Sequence, residues 1–372
     1  MPLDKSNVKK VLFIASYRKD RAPGQRFRFE QYFNYLSEHG YNCELSYFID
    51  EKDDILYHPG KYFQKSRIIA KAARIRLDNL FHKNDYDIIF IFREAFMMGN
   101  VFFEKQFKRS RAKLIFDFDD SIWHLDISEA NKRFHWLKNP DKTGHIISLC
   151  DMVFAGNPYL AQYAYYYCSN VVVIPTTINT DEYQRVSISN GNGKVTIGWS
   201  GSVTTIKHFK LALPFLQRIK DKYGDKVAIK VIGDSNYRND RLNIESLNWN
   251  KADEINELSS FDIGIMPLPD DEWSKGKCGL KGLQYMALNV AAVMSPVGIN
   301  TEIIEHGANG FLASSEDEWF QIISQLIEDE NLRKRIGTAA RQTVIDRYSV
   351  NSQKENYLRY FTELLNNQKT KE

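Results

Sequence analysis

The chain has 372 residues, which is too long for one ordinary hydrophobic core and predicts two domains. Apolar residues make up 43% of the chain and charged residues 26%, which excludes a disordered or fibrous protein. Residues 1–180 carry 26 basic against 21 acidic residues, or +5, and the remainder carries 24 against 26, or −2. The first half is therefore the half expected to meet an anionic surface or substrate.

Four cysteines lie far apart and form no C-x-x-C pair, so they predict neither a zinc site nor a disulfide framework: Cys43, Cys150, Cys168 and Cys278. The eight histidines show no metal-ligand spacing. The apolar run 11–16 is too short for a signal sequence or a membrane span. The sequence thus predicts a cytoplasmic protein that needs no metal or other cofactor, with contact at the inner face of the membrane as a further expectation.

Short β-rich segments alternate with helical patterns along the chain, which predicts an α/β fold with parallel sheets. The first half contains six predicted strands: 11–16, 42–48, 86–92, 113–118, 151–156 and 171–176. Predicted helices lie between them, at 26–39, 61–83, 94–108, 143–150 and 158–167. The polar stretch 177–193 lacks apolar periodicity and ends in Asn and Gly. A linker is therefore predicted at 181–193, between domains 1–180 and 194–349.

The second half repeats the alternation and ends in helices. Its predicted strands are 194–199, 227–233, 261–267, 290–295 and 310–314. The tail is predicted to form three helices, at 315–329, 331–346 and 350–366. The last one carries an apolar stripe that needs a partner surface. Two such domains would place the carboxyl ends of both sheets at a shared cleft.

The loop after the first strand is a candidate acceptor-side surface. Gly24 lies in this loop, and Arg26 and Arg28 follow at its end. Arginine can bind phosphate or carboxylate through two hydrogen bonds, although arginines at a helix start are equally typical of a solvated surface.

Segment 61–83 holds seven Lys and Arg residues against one acid. It is interpreted either as a crossover helix with a solvated basic face or as a helix that lies on an anionic membrane surface.

Three carboxylates stand at the end of the predicted strand 113–118: Asp117, Asp119 and Asp120. Carboxylates this close repel one another, so they need a metal, basic partners, solvent or a raised pKa. Four interpretations stay open. They are a D-x-D metal site for a nucleotide diphosphate, a phosphatase of the haloacid-dehalogenase type with Asp117 as nucleophile and Asp119 as acid, a solvated strand end, and a carboxylate facing the interdomain cleft.

The first loop of the second half follows a strand directly and uses small residues where a backbone can approach a ligand closely. Trp199, Gly201 and Ser202 are therefore candidate ligand contacts, and Lys207 would lie in the first turn of the next helix. The pattern alone is weak, because ordinary strand–helix turns also use Gly and Ser. Pro214 predicts that the helix is kinked or begins later than its pattern suggests.

The stretch 261–298 is the most informative part of the chain. A helix is predicted to start near Gly279, and Lys277 and Lys281 flank that start at the like-charge i, i+4 spacing. Both cations stand beside the positive end of a helix, so a bound anion would stabilise them. Two solvated surface lysines are the alternative.

Three further residues are weaker candidates. Glu302 stands at a predicted helix start, which the helix dipole alone would explain. Trp249 and Trp273 are interpreted either as stacking surfaces for a base or sugar or as packing residues.

These motifs resemble the glycosyltransferase family 4 group, which consists of nucleotide-sugar-dependent enzymes with the GT-B fold. The resemblance is carried by IGWSGSVTTIKH, FDIGIMPLPDDEWSKGKCGLKGLQYMA, SPVGINTEIIEHGANGFLA and LRKRIGTAARQTVIDRYS, and more loosely by DFDDSIW, GNPYLAQYA and VVVIPTTINTDEY. It covers about residues 110–350. It implies two Rossmann-like doubly wound domains facing a central cleft, with the donor on the second and the acceptor on the first. It also implies sugar transfer with retention and a final helix, 350–372, that returns to the first domain.

The resemblance also assigns individual residues. Lys207 matches the lysine that binds the donor diphosphate, and Cys278, Gly279 and Leu280 match the loop whose backbone faces the donor sugar and phosphate. Glu302 lies in a matching helix-start segment.

The chain also departs from the family pattern. The family's paired glutamates would fall at Gly276 and Gln284, and its diphosphate arginine would fall near Gly201. Lys277 and Lys281 are candidates to replace that arginine's charge, and Gln284 can hydrogen-bond ribose hydroxyls. Asp271 and Glu272 are candidates to approach the sugar, and relatives place a donor-sugar contact near the position of Asp119 and Asp120.

The sequence therefore predicts a retaining glycosyltransferase that moves a sugar from a nucleotide diphosphate donor to a glycan or lipid-linked acceptor, in polysaccharide or glycoconjugate synthesis. The predicted catalytic residues are Asp119, Asp120, Lys207 and Lys277, and no nucleic acid partner is expected. Two alternatives stay open. One is the phosphohydrolase that uses Asp117 and Asp119. The other is a non-catalytic sugar-nucleotide-binding protein, suggested by the missing glutamates.

Overall fold

The structure, a computed structural model, describes residues 8–53, 62–124, 139, 141–186 and 193–369. The chain forms two compact units. The first consists of Met1–Pro175 together with Gln353–Glu372, and the second of Thr176–Ser352.

The first unit is built on a six-stranded, fully parallel sheet with the order β2-β1-β3-β4-β5-β6. Its strands are β1 Lys9–Ile14, β2 Tyr41–Ser46, β3 Ile88–Phe92, β4 Lys113–Phe118, β5 Met152–Ala155 and β6 Val171–Val173. All six predicted strands are therefore present. β3 is buried along its whole length, as expected for a parallel strand covered on both faces. The strand order reverses between β1 and β3, and such folds bind ligands at that point.

Helices connect these strands. They are α1 Pro23–Arg28, α2 Phe33–Glu38, α3 Tyr62–Phe81, α4 Phe102–Lys108, α5 Lys142–Leu149 and α6 Pro158–Tyr165. The predicted helix 26–39 is divided in two, with a short 3₁₀ turn, Glu30–Tyr32, between α1 and α2.

The last helix of the chain returns to the first unit, as the family resemblance implies. α15, Val350–Lys369, supplies Tyr357 and Phe361, which are fully buried. The ring of Tyr357 stacks on Tyr32 at 4.1 Å, and its hydroxyl donates to the carbonyl of Arg28. The ring of Phe361 lies 6.3 Å from that of Phe90 in β3. The apolar stripe predicted for this helix therefore completes the core of the first unit.

The second unit contains a six-stranded parallel sheet with the order β12-β11-β10-β7-β8-β9. Its strands are β7 Val195–Ser200, β8 Val227–Ile232, β9 Glu245–Leu247, β10 Ile263–Met266, β11 Ala291–Met294 and β12 Phe311–Leu312. Read from the other edge, the order is that of a dinucleotide-binding fold, with the switch point between β7 and β10. β9 was not predicted, since three residues are too few to show a strand pattern.

The helices of the second unit are α7 Ile206–Phe209, α8 Leu213–Tyr223, α9 Glu254–Ser259, α10 Glu272–Lys275, α11 Leu280–Ala287, α12 Asn300–Ile303, α13 Glu316–Glu328 and α14 Glu330–Arg347. Pro214 lies in the first turn of α8. The helix begins there because proline lacks only an N–H that would have no helical partner in a first turn. No described helix in either unit is long and apolar enough to cross a membrane.

The start of the predicted linker 181–193 is packed into the second unit. Tyr183 is fully buried, and the Arg341 guanidinium donates to its carbonyl oxygen at 2.7 Å. The sequence pattern missed this because one buried tyrosine in a polar segment shows no periodicity. Residues 187–192 lie outside the described part of the chain.

We predict that Phe361→Ala lowers the free energy of unfolding of the first unit by about 3–5 kcal/mol, because it empties a fully buried aromatic site. Hydrogen–deuterium exchange should show faster exchange of β1 and β3, with β7 and β10 unchanged. The matched control is Glu363→Ala, at an exposed position of the same helix. Unchanged protection of β1 and β3 in Phe361→Ala would contradict the role given to α15.

Candidate functional site

Two glycine turns meet at the carboxyl end of β7 in the second unit. A Cβ on Gly233 would lie 2.3 Å from the carbonyl oxygen of Gly201, and Gly233 has a φ of +122° that favours glycine. Next to this contact, the backbone N–H of Ser202 donates to the Thr205 hydroxyl at 2.9 Å. The Thr205 side chain therefore holds the loop instead of capping α7. The loop is compact and brings exposed Lys207 to the edge of the sheet.

Helix α11 begins beside this loop, and no side chain caps its N-terminus. Gly279 precedes it with a φ of +70°, and a Cβ there would lie 2.4 Å from Cδ1 of Ile303, so only glycine fits. α11 has eight residues and no acidic residue in its first turn. Such a helix start offers backbone N–H groups and partial positive charge to an anion.

Buried polar atoms near this helix start have no hydrogen-bond partner among the described residues. Asn300 is fully buried and donates to the Ser295 carbonyl at 2.9 Å, but its Oδ1 accepts no bond. That oxygen lies 3.7 Å from the position a Cβ of Gly279 would take. The hydroxyl of Ser274, in α10, is also buried without a partner. Unsatisfied buried groups are costly, so they favour a polar ligand at this place.

The predicted lysines lie over aromatic rings. Nζ of Lys277 is 5.1 Å from the ring centroid of Trp273, and Nζ of Lys281 is 5.7 Å from that of Trp199. Trp199 itself is only 1% exposed and packs in the core, and its role as a donor contact stays a prediction. Its indole face holds Lys281 by a cation–π interaction.

His208, which the sequence analysis did not select, is buried near the three lysines. It follows Lys207 in α7 and is 4% exposed. Burial lowers the pKa of His208 to about 4, helped by the nearby charges of Lys281, Lys277 and Lys207. The carboxylate of Asp271 acts on His208 in the opposite direction. Its Nδ1 has no partner among the described residues. The sequence signal that could have identified His208 as a site residue was its position next to Lys207, a predicted phosphate-binding lysine.

The remaining candidates of the second unit have different surroundings. Cys278 is buried, and its thiol donates to the Gly276 carbonyl oxygen at 3.8 Å. Leu280 is half-buried in the first turn of α11, and Glu302 is exposed in α12.

The loop carboxylates before α11 are engaged locally. Asp271 caps α10 by accepting from the Ser274 N–H at 2.7 Å, and Glu272 pairs with Lys275 at 2.8 Å.

Gln284 forms hydrogen bonds with two other side chains of the second unit. Its amide nitrogen donates to the Tyr183 hydroxyl at 3.0 Å and to Glu254 Oε1 at 3.1 Å. Trp249 also donates to Glu254, at 2.8 Å, and so has a hydrogen-bonding role. The sequence analysis missed Glu254 and Tyr183 because both are far from Gln284 along the chain.

In the first unit, Asp117 and Arg28 form a fully buried ion pair. Arg28 Nε donates to Asp117 Oδ2 at 3.2 Å, and its other nitrogens donate to Asp117 Oδ1 and to the Ile174 carbonyl. Asp117 is therefore inaccessible to a phosphate ester, and its prediction as a nucleophile was wrong. Arg28 was likewise wrongly predicted to face an acceptor. Arg26 is also buried, with its guanidinium 4.4 Å from the Phe27 ring centroid, so its acceptor-side prediction was wrong too.

Arg93 neutralises the other two carboxylates. It donates to Asp119 Oδ1 at 2.8 Å and to Asp120 Oδ2 at 2.9 Å. Burial opposes its charge, yet the two carboxylates raise the pKa of Arg93 overall. Its φ of +63° is rare outside glycine, and the cost of such a backbone indicates a position held by its surroundings. Gly24 abuts the group, since a Cβ there would lie 2.9 Å from Asp119 Oδ2.

The structure thus brings Gly24, Asp119 and Asp120 together at the carboxyl ends of the β1, β3 and β4 strands, with Arg93 as the residue that the sequence analysis missed. The catalytic role of the two aspartates stays a prediction. Among the described residues, no group of three or more His, Cys, Asp or Glu is placed to hold a metal ion.

We predict a pH-dependent stability that depends on His208. Its folded pKa is about 4, and the unfolded chain binds a proton near pH 6.5. The contribution is therefore fully present above pH 6.5 and is lost as the pH falls towards 4, by about 3 kcal/mol in total.

Urea unfolding of the wild type and of His208→Asn at pH 7, 5.5 and 4.5 tests this. The free energy of unfolding should fall more steeply in the wild type, because asparagine does not titrate. Parallel profiles would show that His208 is not held neutral.

Comparisons with known proteins agree with this architecture. Residues 194–329 match the family model described as glycosyl transferases group 1. A glycosyltransferase from Rickettsia africae is 18% identical with a TM-score of 0.68, over 96% of this chain and 99% of that one. Sucrose-phosphate synthase from Thermosynechococcus elongatus is 11% identical with a TM-score of 0.71, over 96% and 99%. HepE of Anabaena, in complex with UDP and glucose, is 16% identical with a TM-score of 0.63, over 95% and 99%.

No curated protein matches the chain. At these identities the structural likeness shows the fold. Together with the match of residues 194–329 to the family model, it confirms the resemblance drawn from the sequence: this chain has the α/β fold of the GT-B glycosyltransferases.

Proposed function

We propose that this protein is a retaining glycosyltransferase whose second unit binds a nucleotide diphosphate sugar. The observation that carries the proposal is the uncapped start of α11, which Lys277 and Lys281 flank, each with its ammonium group near a tryptophan ring. A bound anion is stabilised by cations that lie beside an uncapped helix N-terminus. A diphosphate has the charge and the acceptor oxygens for such a place, and HepE was solved with UDP.

The proposed chemistry is transfer of a hexosyl group. As the bond between the anomeric carbon and the diphosphate oxygen breaks, negative charge develops on the diphosphate. The lysines and the backbone N–H groups of α11 would stabilise that charge in the transition state. The lysines supply the neutralisation in this proposal, so transfer is expected to proceed without a metal ion. Retention at the anomeric carbon rests on the family resemblance.

We further propose that the first unit serves a glycan or lipid-linked acceptor in polysaccharide or glycoconjugate synthesis, at the inner face of a membrane. Helix α3 supports this part. Positions 63, 67, 74, 77 and 81 fall on one side of the helix, and all five side chains are exposed. Three of them are apolar and two are basic: Phe63, Leu77 and Phe81, with Arg67 and Arg74. Phe63 is 73% and Phe81 84% exposed, which a solvated crossover helix does not require.

Not all basic residues of α3 belong to that surface. Arg76 is fully buried, where it donates to the carbonyl oxygens of Ala15 and Ala95, each at 2.6 Å. Lys71 pairs with Asp50 and Asp53. The surface is therefore narrower than the count of seven basic residues suggested, and it combines aromatic rings with arginines, which suits an anionic lipid interface.

Lys207→Ala or Lys277→Ala should each remove a charged hydrogen bond worth about 1.5–3 kcal/mol and slow transfer about 10- to 100-fold. The measurement is nucleotide release from UDP-, GDP- and ADP-sugars at subsaturating donor, with and without EDTA. Lys334→Ala is the matched control, since this exposed lysine of α14 pairs only with Glu330 among the described residues. If both variants keep the wild-type rate and the wild-type affinity for nucleotide diphosphate, the diphosphate site is assigned wrongly.

The membrane part is tested with Arg67→Glu/Arg74→Glu and with Phe81→Ala. Each arginine contributes about 1 kcal/mol at an anionic surface, so the double reversal should weaken binding to phosphatidylglycerol vesicles about 30-fold or more. Binding to phosphatidylcholine vesicles should be weak for every form. Lys226→Glu/Lys334→Glu, a reversal of two exposed lysines in the second unit, is the control. Equal vesicle binding by both double variants would contradict a role of α3.

A further inference from the structure

A buried hydrogen-bonding network in the second unit surrounds the amide of Gln284. Trp249 Nε1 donates to Glu254 Oε1 at 2.8 Å, and the Tyr183 hydroxyl donates to Glu254 Oε2 at 2.5 Å. Gln284 Nε2 lies 3.1 Å from Glu254 Oε1 and 3.0 Å from the Tyr183 oxygen. Gln284 and Glu254 are each 5% exposed, so these bonds are formed away from solvent.

The direction of every bond in this network is determined. An indole N–H only donates, and an ionised carboxylate only accepts. The single proton of Tyr183 is used on Glu254, so the tyrosine oxygen accepts from Gln284. A reversed amide would place its oxygen against Glu254 Oε1, so that two acceptors would face each other. The amide nitrogen of Gln284 is therefore fixed towards the network.

The fixed amide determines what Gln284 can offer a ligand. Both described hydrogen bonds of Gln284 use its nitrogen, so its oxygen is the amide atom that neither bond uses, and an oxygen only accepts. Gln284 lies one turn after Leu280 on the same side of α11, next to the helix start described above. A sugar attached to a diphosphate carries hydroxyl groups, and a hydroxyl can donate to this oxygen.

We infer that Glu254, together with Tyr183 and Trp249, is a positioning residue that fixes Gln284 as the acceptor for a sugar hydroxyl of the donor. The inference rests on the proposed function. It also explains the amide at this position: a glutamate at 284 would stand about 3 Å from the Glu254 carboxylate, and two such carboxylates cannot both stay ionised without strong repulsion.

The test exchanges the two side chains. Gln284→Glu and Glu254→Gln are made singly and as the double exchange, and affinities are measured for UDP and its 2′-deoxy and 3′-deoxy forms, with the ADP and GDP series alongside. UDP-glucose against UDP-2-deoxyglucose reports the transferred sugar instead of the ribose. The wild type should prefer the complete sugar about 3- to 10-fold over at least one deoxy form, the worth of one hydrogen bond.

Each single variant should lose most of that preference, because the first brings two carboxylates together and the second lets the amide turn. The double exchange keeps one carboxylate and one amide in contact and should recover it. Gln217→Glu is the matched control, since this half-buried glutamine donates to Asp221 at 2.8 Å far from the network along the chain. Melting temperatures of all variants show that they fold.

The possible outcomes distinguish a failure of the positioning role of Glu254 from a failure of the proposed function. Loss of the preference in the single variants and its recovery in the double exchange supports the positioning role. Nucleotide binding with the same preference in every variant overturns the positioning role and leaves the proposed function standing, as does a double exchange no better than the singles. A wild type that binds none of the nucleotide diphosphates overturns both.

Discussion

The repulsion between like charges at the start of α11 is the constraint on which the candidate site depends. Lys277 and Lys281 flank a helix N-terminus that no side chain caps. The charges of these two lysines and of Lys207 all help to lower the pKa of His208. The protein keeps this histidine neutral, which avoids a fourth positive charge. The ammonium groups of Lys277 and Lys281 lie near the aromatic faces of Trp273 and Trp199. The arrangement is therefore prepared for an anion, and the unsatisfied Asn300 oxygen shows that polar capacity remains nearby.

In the first unit, the charged side chains at the strand ends pair with one another. Its strand-end carboxylates are already matched by arginines of the same unit, Asp117 by Arg28 and Asp119 with Asp120 by Arg93. A buried ion pair of this kind is costly to break, so Arg28 and Asp117 act as structural partners. Their position also ties the core to the end of the chain, because the Tyr357 hydroxyl of α15 donates to the Arg28 carbonyl.

The fold was predictable because parallel strands buried on both faces are nearly continuous apolar runs, as in β3, Ile88–Phe92. The predicted strand 113–118 matches β4 residue for residue. The α11 helix start was predictable because glycine and lysine spacing is a local signal. The partners of Asp117, Asp119 and Gln284 were not, since each is far along the chain: Arg28 is 89 residues from Asp117, and Tyr183 is 101 residues from Gln284. Sequence periodicity reports which face of an element is buried, but it does not report which charges the folded chain brings together.

The absence of the family's paired glutamates then has a physical interpretation. A carboxylate is present beside position 284, but it comes from Glu254 in α9 and not from α11. The negative charge therefore lies on α9, and α11 carries the amide of Gln284 in its place. Trp249 and Tyr183 donate to Glu254, and this network determines which way the amide points. Two side chains thereby share what one glutamate would do: Glu254 holds the negative charge, and Gln284 presents the acceptor oxygen. A chain can lose a motif residue and keep an acceptor at that place, provided that the network around it fixes the orientation of its replacement.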